Sequence, residues 1–345
     1  ITLDSLTSGF NISSDKTKDR SLNEMLGFTN AELIKLMEEQ GFTKKEQEYL
    51  LPIMKENYDG YRFSVKASEK IYNSNMCLYF LNEYIQYKEI PNQLIDVNIA
   101  SDYAKLGRML DLCKGNDRAE IILKTVNDEL ITSQIIEKFN PAMQFNEKDL
   151  VSMLYYLGYL TIEGEEFGIP KLKIPNRVMK EIYANYFIEI LSKETDFIVD
   201  QETYTTITRE IALEGKIDKI VEVMQTYLTN LSNRDYQRFD EKYIKLIFFC
   251  IAMNINVYRI KSEAEIQRKY PDILLIPRET EKGYASVMIE FKYLKKGEET
   301  LLQEKQTEAK AQIEEYAGFD EIKNLERLSK YTVIAVNDRI YVEKI

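Results

Sequence analysis

The apolar positions of the chain keep two rhythms. Over the first 235 residues they recur mainly every three or four positions, the spacing of one face of an α-helix. Leu33, Leu36 and Met37 make such a face behind Thr29, which stands where an N-cap belongs. A second Gly-Phe-Thr run at 41–43 opens another helix through Met54. Residues 58–64 predict a turn at Gly60 followed by a short strand, and 96–145 predict mostly helix. From Asn146 the side chains of Leu150, Met153, Leu154 and Leu157 again fall on one side, and 160–176 predict two short strands around a glycine-containing turn. A helix followed by such a hairpin reads as a winged-helix module. The acidic tip, with Glu163, Glu165 and Glu166, speaks as much for a structural hairpin beside a helical lid as for DNA binding. Residues 177–235 predict several amphipathic helices serving as a connector.

From Asp240 the rhythm changes. An apolar helix through Met253 is followed by three strand-like runs, at 255–260, 271–277 and 285–294. A long helix over 298–319 comes next, and 330–345 predict a closing hairpin with Asn337 and Asp338 in the turn. The order helix, three strands, helix, two strands predicts a mixed sheet with helices on its faces. The expected fold class is therefore α/β and mostly helical, in three parts at 1–110, 111–235 and 236–345.

Composition narrows the chemistry. The 345 residues are 44% hydrophobic and 30% charged, an ordinary globular balance. Histidine is absent, which removes imidazole bases, Ser-His-Asp and Cys-His triads and every His-ligated metal site. A metal would have to be held by oxygen, which favours magnesium, manganese or calcium. Cys77, Cys113 and Cys250 are odd in number and far apart, so a reducing cytoplasm is the expected compartment. The longest apolar run, Leu246 to Met253, is far too short to span a membrane, and no signal peptide opens the chain. The first residue is Ile1, so the sequence reads as part of a longer protein with its N-terminus upstream. Net charge is −11, which argues against indiscriminate nucleic-acid binding. Residues 261–345 carry 15 basic and 17 acidic side chains, so most of the excess lies before them and a nucleic-acid site fits the C-terminal part better.

Three residues there carry candidate chemistry. Asp272 starts one strand-like run, and Glu290 and Lys292, two apart in the next, share a sheet face. Both acids lie among apolar residues, where a carboxylate is costly to bury without a partner. Two carboxylates and a lysine at strand ends can satisfy one another around a divalent cation, and they supply the parts for metal-assisted hydrolysis.

Pro271-Asp272 followed by Glu290-Phe291-Lys292 resembles the motif of the PD-(D/E)XK nuclease superfamily. Gln312 and Tyr316, one helical turn apart, are similar to the QxxxY signature of one branch of it, and Glu241 stands where many members carry a further acid. Glu265 competes with Glu241 for that role. The resemblance implies a restriction-endonuclease-like domain over 236–345. It also implies a Mg2+ (or Mn2+) ion on Asp272, Glu290 and the Phe291 carbonyl, with Glu241 as the additional acid. Lys292 would orient the attacking water or offset developing charge, while Gln312 and Tyr316 would position water or the scissile strand. Lys295 and Lys296 suit either phosphate contacts or a solvated pair.

Landmarks along the rest of the chain, at 1–12, 23–29, 58–64, 157–161 and 172–176, resemble a bacterial family of AAA-ATPase-like proteins with a C-terminal PD-(D/E)XK domain. Residues 72–77 and 268–272 depart from its usual pattern, and Trp is absent. The phosphate-binding loop is missing: Gly215-Lys216 is followed by Ile217 and lacks the upstream glycine. Residues 1–110 thus read as the end of the ATPase-like module and 111–235 as its helical lid or winged-helix-like region. The expected function is a metal-dependent nuclease acting on nucleic acid, DNA first, regulated by the ATPase-like part and without ATPase activity of its own. The alternative is a catalytically silent nuclease fold that binds nucleic acid or protein. No membrane partner is expected, and oligomeric state is left open.

Overall fold

The computed structural model describes residues 2–3, 19–91, 93–95, 106–108, 125, 130–136, 138–139, 145–195, 199–230, 240–262 and 271–345. The chain divides into two compact units, Ile1–Tyr186 and Phe187–Ile345.

In the first unit, α1 (Asn30–Glu39) and α2 (Lys44–Tyr58) each begin on a capping box, Thr29 with Glu32 and Thr43 with Glu46. α3 (Ser74–Tyr87) is capped by Asn73. Their buried faces, including Leu33, Met37, Leu50, Met54 and Phe80, follow the helical spacing of the sequence. The strand expected after Gly60 shrinks to one bridge, Tyr61 with Ile71. Arg62 is committed elsewhere: its N–H donates to Thr161 Oγ1 at 2.7 Å and its guanidinium to the Glu163 carbonyl at 2.7 Å. Gly60 itself is required, because φ is 108° and a Cβ would lie 2.0 Å from the Pro175 carbonyl oxygen. α4 (Glu147–Tyr156), capped by Asn146, lies in the chain between the first and second strands of an antiparallel sheet of β1 (Ile131–Thr132), β2 (Thr161–Glu166) and β3 (Ile169–Lys173) in the order β1-β3-β2. The mostly helical expectation for 96–145 therefore gives way at 131–132, where β1 pairs with β3, and at 138–139, which pair with Thr2–Leu3. Most of the remaining span lies outside the described residues.

α5 (Arg177–Thr195) contains the division between the units. In the second unit α6 (Gln201–Arg209), α7 (Asp218–Asn230) and α8 (Glu241–Met253) lead to a five-stranded sheet. Its strands are β4 (Tyr258–Ser262), β5 (Ile273–Pro277), β6 (Ser286–Leu294), β7 (Leu328–Val336) and β8 (Arg339–Lys344), side by side in chain order. Neighbours are antiparallel except β6 and β7, which α9 (Leu302–Ala317) joins as a parallel crossover. Tyr331 donates to the Gly215 carbonyl at 2.8 Å, and the N–H of Ile340 donates to Gln225 Oε1 at 2.8 Å, so α7 and the segment before it are tied to this sheet.

α8 covers one face of the sheet, with the Phe248 and Phe291 rings 5.4 Å apart. α9 covers the other, where Ile313 and Tyr316 pack on Leu274 and Met288. With both faces covered, β6 is buried along nearly its whole length, which explains why its sequence is an almost continuous apolar run. Among the described residues no helix is long and apolar enough to cross a membrane. Cys77 and Cys250 are buried, and Cys113 lies outside the described residues.

Candidate metal-dependent active site

The site lies where the β5–β6 ladder stops. Pairing ends at Ile273 opposite Ile289, and Pro271, having no N–H, cannot extend it. Asp272 continues the ladder with its side chain instead: Oδ2 accepts from the Phe291 N–H at 2.7 Å. In an extended strand both backbone groups of a residue face the same neighbour, so the Phe291 carbonyl turns to this same unladdered edge. The Asp272 N–H approaches Glu290 Oε2 at 3.4 Å, and Lys292 Nζ meets Glu290 Oε1 at 3.1 Å.

Alternation along β6 places Met288, Glu290 and Lys292 on one face, and register adds Leu274 from β5 and Thr332 from β7. That face, beneath α9, carries two apolar patches. Leu274, Met288, Ile313, Tyr316 and Ile322 form one; Leu294, Ile334 and Val336 with Leu302 form the other. Glu290, Lys292 and Thr332 make a polar seam between them. Asp272, Glu290 and Lys292 are only 5%, 2% and 7% exposed.

Such burial sets the electrostatics. Desolvation, and then the neighbouring charge of Asp272, push the Glu290 carboxyl up to about 7 against the pull of Lys292. Burial also raises the Asp272 carboxyl, opposed by Lys245 and the Phe291 N–H. The pair therefore holds more negative charge than its surroundings comfortably accept.

Lys245, absent from the sequence-level candidates, is part of this arrangement. Its ammonium pairs with Asp272 Oδ1 and, at 2.9 Å, with Glu241 Oε1. Burial works against its charge, but Asp272 and then Glu241 outweigh that and lift its pKa above the ordinary lysine range. A signal existed: between Tyr243 and Met253 it is the one charged residue in an otherwise apolar helix, four positions after Glu241.

The other candidates fall as follows. Glu241 does not join the two carboxylates directly, because Lys245 lies between it and Asp272. Among the described residues no group of three Asp, Glu, Cys or His side chains converges to hold a metal. Gln312, on α9, has a buried Oε1 that accepts no hydrogen bond among the described residues. The Thr332 hydroxyl, in register with Glu290, is buried in the same condition. The Tyr316 ring belongs to the apolar patch and lies 5.9 Å from that of Phe319. Lys295 and Lys296 are exposed in the turn after β6, and Glu265 lies outside the described residues.

Two carboxylates and a backbone carbonyl form a hard oxygen donor set. That suits Mg2+ or Mn2+, which retain several waters and need few protein ligands. The buried, unsatisfied oxygens of Gln312 and Thr332 are what a site completed by bound water would leave when dry. The residues present thus fit a divalent cation.

No curated protein matches the chain. Residues 239–344, from the start of α8 through β8, match the sequence model of the PD-(D/E)XK nuclease superfamily, and this part of the chain is a domain of that superfamily.

Proposed function

We propose that this domain is a divalent-metal-dependent nuclease hydrolysing phosphodiester bonds, with DNA as its substrate. The observation that carries the reading is the burial of Asp272, Glu290 and Lys292 together at the one edge where the β5–β6 ladder is interrupted. Asp272, Glu290 and the Phe291 carbonyl would hold Mg2+ or Mn2+. When bound, that ion supplies Lewis-acid polarisation of the phosphoryl oxygen and a water of lowered pKa.

The remaining work belongs to the chain. The Phe291 N–H fixes the Asp272 carboxylate, so its geometry is set before substrate arrives. Lys292, held by Glu290, orients the attacking water and offsets charge developing on the phosphate. The Gln312 amide oxygen positions a water or the scissile strand by accepting a hydrogen bond, and its lack of a partner among the described residues suits that task. Tyr316 contributes its ring to packing, and its hydroxyl would help position water or the scissile strand. The antiparallel β1-β3-β2 sheet whose strands flank α4 in sequence supports a winged-helix-like role for this part of the chain, and the sequence landmarks before it support an ATPase-like remnant.

A second reading, a silent module that binds nucleic acid or protein, draws on the ion pairs of Lys245 and Lys292 with both carboxylates. One assay separates the two: cleavage of plasmid and single-stranded DNA with Mg2+ or Mn2+, for the parent and Lys292→Ala, beside DNA binding in Ca2+. The nuclease reading expects metal-dependent cleavage that Lys292→Ala removes while binding persists. Binding without cleavage by the parent would establish the silent module, and parent-rate cleavage by Lys292→Ala would overturn the assigned mechanism.

A further inference from the structure

We propose that Lys245 is a resident cation that occupies Asp272 in the metal-free domain and gives way to the metal, with Glu241 as the side chain that retains it. The inference rests on the reading of Asp272 as a metal ligand. Asp272 has two oxygens, and Oδ2 is engaged by the Phe291 N–H at 2.7 Å. The carboxylate therefore cannot rotate without breaking a buried hydrogen bond. Oδ1 is the oxygen left to ligate, and Lys245 sits on it. A divalent cation and an ammonium cannot share that oxygen without strong repulsion in a site where Asp272 is 4% exposed at its side chain.

Release would be expensive if it stranded a buried ammonium. Glu241 prevents that. It lies one helical turn before Lys245, its Oε1 already 2.9 Å from Nζ, with 35% of its side chain exposed. An ammonium has three donors, so Lys245 serves both carboxylates in the metal-free state and keeps one when Asp272 turns to the metal. The Lys292 ammonium is on Glu290 Oε1 and not on Asp272, so it does not occupy the oxygen that Lys245 covers. On this account Glu241 is a positioning residue acting through Lys245, and not a metal ligand.

The test is calorimetric Mn2+ titration of the full chain as parent, Lys245→Gln, Glu241→Gln, the double variant, and Asp272→Asn in the parent and Lys245→Gln backgrounds. Removing the resident charge should tighten Mn2+ binding by about tenfold or more. Glu241→Gln alone should weaken it, because Lys245 then loses a carboxylate that draws it away from Asp272. In the Lys245→Gln background the same change should matter by less than about threefold, the sign of action through one partner. Thermal melts in chelator confirm folding, and Lys245→Met serves the same comparison if the glutamine variant does not fold. Unchanged or weaker Mn2+ binding on removal of Lys245 overturns the proposal. So does an equal loss from Glu241→Gln in both backgrounds, which would make Glu241 a ligand. If Asp272→Asn leaves Mn2+ binding intact, the metal reading of Asp272 falls and takes the proposal with it. If Asp272→Asn abolishes binding while Lys245→Gln leaves it unchanged, only the resident-cation proposal falls.

Discussion

Asp272→Asn separates what this residue does for the fold from what it does for a metal. Asparagine has the same shape and keeps an oxygen to accept the Phe291 N–H, so the bond that extends the ladder survives. The charge is lost, and with it the pair to Lys245. Breaking a buried pair costs about 3–5 kcal/mol when it strands a charge. Here Lys245 is 19% exposed at its side chain and keeps Glu241 at 2.9 Å, so the loss is nearer about 1–2 kcal/mol. Against this, burial has already raised the Asp272 carboxyl, so neutralising it recovers part of a desolvation cost. The two effects nearly cancel, and the expected change in unfolding free energy is within about 1 kcal/mol. Metal affinity has no such compensation. Losing one of two carboxylates should cost more than the 10–100-fold typical of outer partners, hence above about 2.7 kcal/mol. Urea unfolding in chelator reads the first quantity and Mn2+ calorimetry the second. Unchanged Mn2+ affinity in a folded variant would refute the site, and a stability loss beyond about 2 kcal/mol would refute the cancellation.

The Glu290 carboxyl, raised to about 7 mainly by burial, has a consequence for stability. From about pH 4.5 upward the unfolded chain releases this proton before the folded domain does, so the metal-free protein loses stability as pH rises, with the loss complete above about 7. Glu290→Gln should flatten that slope in thermal melts from pH 5 to 8 in chelator, and parallel curves would contradict it. Gln312→Ala should lower the cleavage rate by about 10–100-fold with DNA binding in Ca2+ kept, whereas Tyr316→Phe, which preserves the packed ring, should cost less. A Gln312→Ala variant cleaving at the parent rate would remove Gln312 from the proposed mechanism. The chain, lacking a phosphate-binding loop, should show no saturable binding of a fluorescent ATP analogue, and micromolar binding would refute that expectation.

Much of the second unit was legible in the order of residues alone. Period-2 alternation in β6 places Glu290 and Lys292 on one face whatever packs above them, because side-chain direction in a strand is a local property. The run of β5 and the hairpin of β7 and β8 follow from short-range pattern and turn chemistry in the same way. The strand order, with β6 and β7 parallel through α9, depends on pairings between distant segments that no local pattern encodes. So does the halt of the ladder at Ile273, which lets Asp272 bond the Phe291 N–H across a gap of nineteen residues. Lys245 shows the limit most sharply. Its spacing from Glu241 was visible, but only packing of α8 against the sheet brings its ammonium to Asp272, twenty-seven residues on. In the first unit, 131–132 became a strand because β3 offered an edge to pair with, a tertiary opportunity that outweighs weak helical propensity. Local sequence decides which face a side chain takes, and tertiary contacts decide which charges share that face, since burial and Coulomb energy depend on distance in space rather than along the chain.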